Sequence, residues 1–171
     1  SGTAALHLSA ITMGVKKGTK VITSPITFVA TANCIEYCGG EIELCDIDQN
    51  TLCLDINKVR EKLENSPRGT FHGIIPVNFA GYPVNMEDFK ALADEYGLWI
   101  LEDACHAPGG FFIDSKGVNQ KCGNGYYANL SIFSFHPVKH IACGEGGMIT
   151  TNDKRIYENL IQLRSHGITK N

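Results

Sequence analysis

Long hydrophobic runs are missing from this sequence. Its apolar stretches last only a handful of residues, too few to cross a bilayer. It has no basic cluster, and its net charge of −3 supplies no field to attract nucleic acid or an anionic membrane. The opening Ser1-Gly2-Thr3 lacks the basic region followed by an apolar one that marks a secretory signal, so a cytoplasmic location is expected. No Cys-x2-Cys pair exists to suggest a zinc site. The seven cysteines are an odd number, lie mostly within apolar runs, and belong to a domain too large to need disulfide staples. They read as reduced thiols. With 43% hydrophobic and 19% charged residues over 171 positions, the composition is that of an ordinary globular α/β domain with a real core.

Strand and helix patterns alternate along the chain. Apolar residues at 4, 5, 8, 11 and 15 predict a helix over Ala4–Val15, closed by Gly18. Lys20–Ser24 reads as a strand ended by Pro25, and Phe28–Tyr37 as a helix stopped by Gly39-Gly40. Strands are expected at Glu41–Ile47, Gly73–Phe79, Leu98–Leu101, Leu130–Phe135 and Gly147–Thr151. Helices are expected at Asp55–Leu63, with Asp55 as cap, and at Met86–Tyr96 and Ile156–Leu163. The polar, glycine-containing stretch from Asp114 to Gly125 reads as a loop or irregular hairpin. Such an alternation predicts a mostly parallel sheet with helices on both faces. Ligands then lie beyond the carboxyl ends of the strands. That rule directs attention to Thr23-Ser24-Pro25, Asn78-Phe79, Glu102-Asp103-Ala104 and Ser134-Phe135-His136.

Chemistry-bearing residues stand at those ends. Ser1-Gly2-Thr3-Ala4 opens a helix whose first N–H groups and dipole suit a phosphate, although Ser1 also reads as a plain cap. Glu102-Asp103 closes an apolar strand. An acidic pair there suits nucleotide hydrolysis only beside a phosphate-binding loop of the Gly-Lys-Ser/Thr kind, and none is present. The remaining use is a carboxylate facing a cationic heterocycle nitrogen. Lys139 follows a strand end and Pro137, where folding needs no lysine, and a lysine in a pocket acts as a free amine on a carbonyl. His136 and His140 stand four apart, but Pro137 argues against the helix that would pair them on a metal. Cys143-Gly144-Glu145-Gly146-Gly147 lacks the order of a dinucleotide fingerprint and reads as backbone passing close to a ligand.

Together, and in order, these residues resemble the sugar-nucleotide aminotransferases of pyridoxal-phosphate (PLP) fold type I, the DegT family. The resemblance runs from Ser1-Gly2-Thr3 through Thr27-Phe28-Val29-Ala30-Thr31-Ala32-Asn33, Glu102-Asp103-Ala104-Cys105-His106, Phe133-Ser134-Phe135-His136-Pro137-Val138-Lys139 and Gly144-Glu145-Gly146-Gly147 to Ser165-His166-Gly167-Ile168-Thr169. It implies that Lys139 forms the Schiff base with the cofactor and shuttles the proton of transamination. It implies that Asp103 pairs with the pyridine nitrogen and that Phe28 covers a ring face. Gly2, Thr3, Ala4 and Ser134 would hold the phosphate, and His106 would lie near the phenolic oxygen; Glu145 receives no role. Ser24-Pro25-Ile26-Thr27-Phe28 and the stretch around Lys139 are most similar to members of the pseudaminic-acid pathway. That implies a UDP-linked 4-keto-6-deoxy N-acetyl sugar as acceptor, L-glutamate as donor and a homodimer. It further implies that residues 1–171 are part of a cofactor-binding large domain, the lead-in and a small carboxy-terminal domain lying outside the chain. Alternatives are another UDP- or dTDP-keto-sugar aminotransferase, a sugar 3-dehydratase, in which histidine replaces the lysine, or a PLP-fold module without turnover.

Overall fold

The computed structural model describes residues 1–168. Thr169, which closes the last motif above, lies outside them. The elements in chain order are α1 (Gly2–Thr12), β1 (Lys20–Thr23), α2 (Ala30–Glu36), β2 (Glu41–Leu44), α3 (Ile56–Glu64), β3 (Gly73–Ile75), α4 (Met86–Tyr96), β4 (Trp99–Asp103), β5 (Phe111–Ile113), β6 (Asn119–Lys121), β7 (Leu130–Ser134), β8 (Gly147–Thr150) and α5 (Lys154–Arg164). Six strands form one sheet in the order β2-β1-β3-β4-β7-β8. Every neighbouring pair is parallel except β7 and β8, which run antiparallel. Strands β5 and β6 form a separate antiparallel hairpin; its turn and β6 fall in the 114–125 stretch that read as a loop or irregular hairpin, while β5 precedes it and was not expected as a strand. The expected α/β fold, a mostly parallel sheet between helices, is the one observed.

Its central strands are apolar on both faces because each face is covered. Ile22, Ile74 and Ile100 join a core with Val59, Leu63 and Leu92 from α3 and α4. Their chain neighbours Val21, Ile75 and Leu101 point the other way, into a second core with Leu6, Ala10 and Ile35 from α1 and α2. Close packing decides some residues outright. A Cβ on Gly73 would run into the indole of Trp99 on the next strand.

Three boundaries differ from expectation by three residues or more, and the others by two or fewer. The first helix ends at Thr12, not Val15, because Gly14 turns the chain at φ +76. The strand expected over Gly73–Phe79 stops at Ile75, since Pro76 has no N–H for the ladder. Val77 still bridges Asp103, and the chain then makes a 3-10 turn over Phe79–Gly81. The strand expected to reach Ile47 ends at Leu44; Ile47 instead bridges Leu54 in the loop before α3. Asp55 caps α3, accepting from the Asn57 N–H at 2.8 Å. The seven thiols are all free. No described helix is long and apolar enough to cross a membrane.

Candidate active site

The carboxyl ends of β4 and β7, the start of α1 and the segment over residues 27–31 open onto one cavity of about 460 Å³, whereas Thr23-Ser24-Pro25 and Asn78-Phe79 stand outside its lining. It is lined by Gly2, Thr3, Phe28, Asp103, His106, Ser134 and Lys139, which are all but one of the residues singled out from the sequence. Ala4 is the exception. It stands outside the lining, and its N–H is taken by Ser1 Oγ at 3.2 Å, so the cap reading of Ser1 describes the helix as it stands.

Asp103 is the last residue of β4 and only 4% exposed. Its main chain is anchored to the segment after β3, donating to Pro76 O at 2.9 Å and accepting from the Asn78 N–H at 3.0 Å. Its carboxylate accepts a hydrogen bond from Thr31 Oγ1 on Oδ2 at 2.8 Å and from the Cys105 N–H on Oδ1 at 3.1 Å. Thr31 in turn lies 2.8 Å from Thr27 Oγ1. Sequence reasoning gave neither threonine a role. Their spacing of four along the chain hints at one helix face, but nothing local connects Thr31 to an aspartate 72 residues later.

One wall is the start of α1. A Cβ on Gly2 would come within 2.8 Å of Ser134 Cβ, and one on Gly147 would collide with the carbonyl of Ser1. Small residues at these positions let the helix N-terminus sit directly against the ends of β7 and β8. The N–H groups of Gly2 and Thr3 have no partner within the helix, so they are available to an anion.

The opposite wall is the loop from Phe135 to Gly147. It is pinned at its base, where the Phe135 N–H donates to Gly146 O at 2.9 Å and the Cys143 N–H to Phe135 O at 3.0 Å. Within it the Lys139 N–H donates to His136 O at 2.9 Å, a turn that leaves the half-buried lysine lining the cavity. His136 and Glu145 meet at 3.9 Å at the rim, both exposed. Phe28 lines the cavity and is 67% exposed.

Charge is arranged around this wall. Burial pushes the His106 pKa below its ordinary value; the Lys139 cation pushes the same way and Asp103 opposes. His106 Nδ1 accepts from the Ala80 N–H at 3.3 Å, which fits the neutral ring. Burial also drives the Cys105 thiol up, as does the Asp103 carboxylate, which disfavours its thiolate form.

Known proteins place this arrangement. The sequence model of the DegT/DnrJ/EryC1/StrS aminotransferase family matches residues 1–171. An uncharacterized protein of Methanocaldococcus jannaschii is 37% identical over 170 residues, covering 99% of this chain and 41% of that protein. The Helicobacter pylori PseC structure, an aminotransferase involved in the biosynthesis of pseudoaminic acid, is similar with a TM-score of 0.84 and 32% identity, over 100% of this chain and 43% of that one. The Bacillus subtilis NtdA structure, which holds the cofactor PMP, is similar with a TM-score of 0.82 and 29% identity, over 95% of this chain and 34% of that one. This chain thus spans less than half the length of each. With the whole of its length matched, it belongs to the DegT/DnrJ/EryC1/StrS aminotransferase family.

Proposed function

We propose that this chain is the cofactor-binding part of an aminotransferase that moves an amino group onto a nucleotide-linked keto sugar. Aminotransferases of this family use pyridoxal phosphate. The observation that carries the reading is the meeting, in one cavity, of a buried carboxylate, a lysine and a helix N-terminus kept open by small residues.

These residues fit the cofactor. Asp103 carries one protein donor on each oxygen, which leaves lone pairs for a pyridinium N–H. The close Gly2–Ser134 approach brings the free N–H groups of Gly2 and Thr3 beside Ser134 at the cavity wall, a set of donors suited to a phosphate. Phe28 would cover a ring face, and His106 would stand near the ring's phenolic oxygen.

When bound, the cofactor supplies the electron sink that makes the donor's Cα proton removable. The protein supplies position and protons. Lys139 Nζ would hold the cofactor covalently and, as a free amine, would move the proton in each half of the exchange. Asp103 would hold the ring-nitrogen proton.

Likeness to an aminotransferase involved in the biosynthesis of pseudoaminic acid supports a sugar acceptor; the sequence resemblance around residues 24–28 and Lys139 extends the proposal to a UDP-linked 4-keto-6-deoxy N-acetyl sugar, with L-glutamate as donor. A homodimer acting in the cytoplasm completes the proposal, with the small domain of the family outside these residues.

Lys139→Ala provides the test. The variant is expected to lose the visible absorbance of the attached cofactor, the borohydride-fixed label at this position and the amination of UDP- and dTDP-linked 4-keto sugars. A Lys139→Ala protein that keeps that absorbance and still transfers nitrogen overturns the proposal.

A further inference from the structure

We infer that Thr31 is the positioning residue of Asp103, and that Thr27 acts on Asp103 only through Thr31. The inference rests on the reading of Asp103 as the partner of the cofactor's ring nitrogen. An ionised carboxylate only accepts, so the 2.8 Å contact commits the one Thr31 hydroxyl proton to Asp103 Oδ2. Thr31 Oγ1 then has only lone pairs for Thr27 Oγ1, also at 2.8 Å, and Thr27 must donate. The two hydroxyls form a one-way chain from the cavity wall to the carboxylate.

Geometry assigns this chain to orientation. The terminal torsion of an aspartate is broad, so one donor leaves the carboxylate plane free to swing. The Cys105 N–H holds Oδ1 at 3.1 Å, and Thr31 holds the other oxygen. Together they set the plane in which a ring N–H is met. Thr31 has no exposed surface although it borders the cavity, and the methyl group of a valine would occupy the place of its hydroxyl and keep water from Oδ2. The hydroxyl has no capping duty either: the N-cap of α2 is Val29, and no side chain caps that helix. Thr31 shares the buried side of α2 with Ala30, Cys34 and Ile35, and its hydroxyl makes both of its contacts, to Thr27 and to Asp103.

The test is a set of valine and serine variants assayed by PLP titration, with visible absorbance of the bound cofactor as a second readout. Thr31→Val keeps the shape and removes the donor; it is expected to weaken PLP binding about tenfold and to displace the absorbance maximum. Thr31→Ser is expected to restore both. Thr27→Val is expected to weaken binding about threefold in the parent protein and to add nothing in the Thr31→Val background. The inference is overturned by parent-like binding and absorbance in Thr31→Val, by a serine variant as weak as the valine one, or by a full Thr27→Val effect on top of Thr31→Val. If Thr31→Val does not fold, the serine variant and Thr27→Val decide by the same criteria. A parent protein that binds no PLP overturns the functional reading and this inference with it, whereas a parent that binds PLP beside an unaffected Thr31→Val overturns the inference alone.

Discussion

Glu102 and Asp103 are chain neighbours at the end of β4, equally buried at 3% and 4% exposure, yet they face opposite cores in opposite circumstances. Glu102 points to the α3–α4 side. It accepts from Asn78 Nδ2 at 2.9 Å on one oxygen, and from Ser131 Oγ at 2.7 Å and the Gly123 N–H at 3.0 Å on the other. That shell is closed, and it ties the loop before β7 and the segment after β3 to the central strand. Asp103 points to the α1–α2 side, takes two protein donors and borders the cavity. Depth alone therefore does not make a carboxylate a reactive group. What matters is whether its hydrogen-bonding capacity is used up by the fold or left partly open to a ligand.

The largest expected break in this symmetry is in stability. Glu102→Ala strands three buried donors and is expected to cost about 3 kcal/mol or more. Asp103→Ala, beside an open cavity where water can serve its donors, is expected to cost about 1–2 kcal/mol. Urea denaturation of both variants measures the difference, and equal costs would remove the distinction between the two faces.

pH sharpens the contrast. Burial raises the Glu102 pKa above its ordinary 4.5, outweighing its three donors. A carboxyl whose folded pKa is raised contributes stability that is complete below 4.5 and is lost as pH rises through the raised value. Melting temperatures taken upward from that pH should show this decline in the parent and a flatter profile in Glu102→Gln.

On the cavity side the expected effect is smaller and local. His106 should titrate below 6.5 in a proton NMR series, burial being the main cause. Its stabilising contribution, present above 6.5, is lost as pH falls through the depressed value. Lys139→Ala removes the second cause and should move the His106 midpoint upward. A midpoint that ignores the lysine would separate the two groups that the cavity brings together.

The smallest effect concerns the backbone that holds His106. Ala80 donates to His106 Nδ1 from a left-handed conformation, φ +52. Ala80→Gly relieves that conformation but loosens the unfolded chain, for a net gain of at most about 1 kcal/mol in thermal or urea unfolding.

Much of this architecture was legible because its causes are local. The apolar periods, Asp55 as a cap and the polar Asp114–Gly125 stretch as a hairpin all depend on residues a few positions apart. Pro76 carries the information that ends β3 as well, although the apolar residues on either side of it masked the break. Alternation along β4 sends Glu102 and Asp103 to opposite faces, but no local rule tells which face holds a cavity.

By itself, then, the sequence determined the element order, the layered α/β class and the set of residues brought to the strand ends, because hydrophobic period, caps and turn residues act through neighbouring atoms. The tertiary structure alone decided that β8 runs antiparallel, that α1 approaches Ser134 closely enough to demand Gly2, and that Thr31 reaches Asp103. Those outcomes depend on which distant segments pack together, and a hydroxyl finds its carboxylate across 72 residues only once the sheet and its covering helices have been assembled.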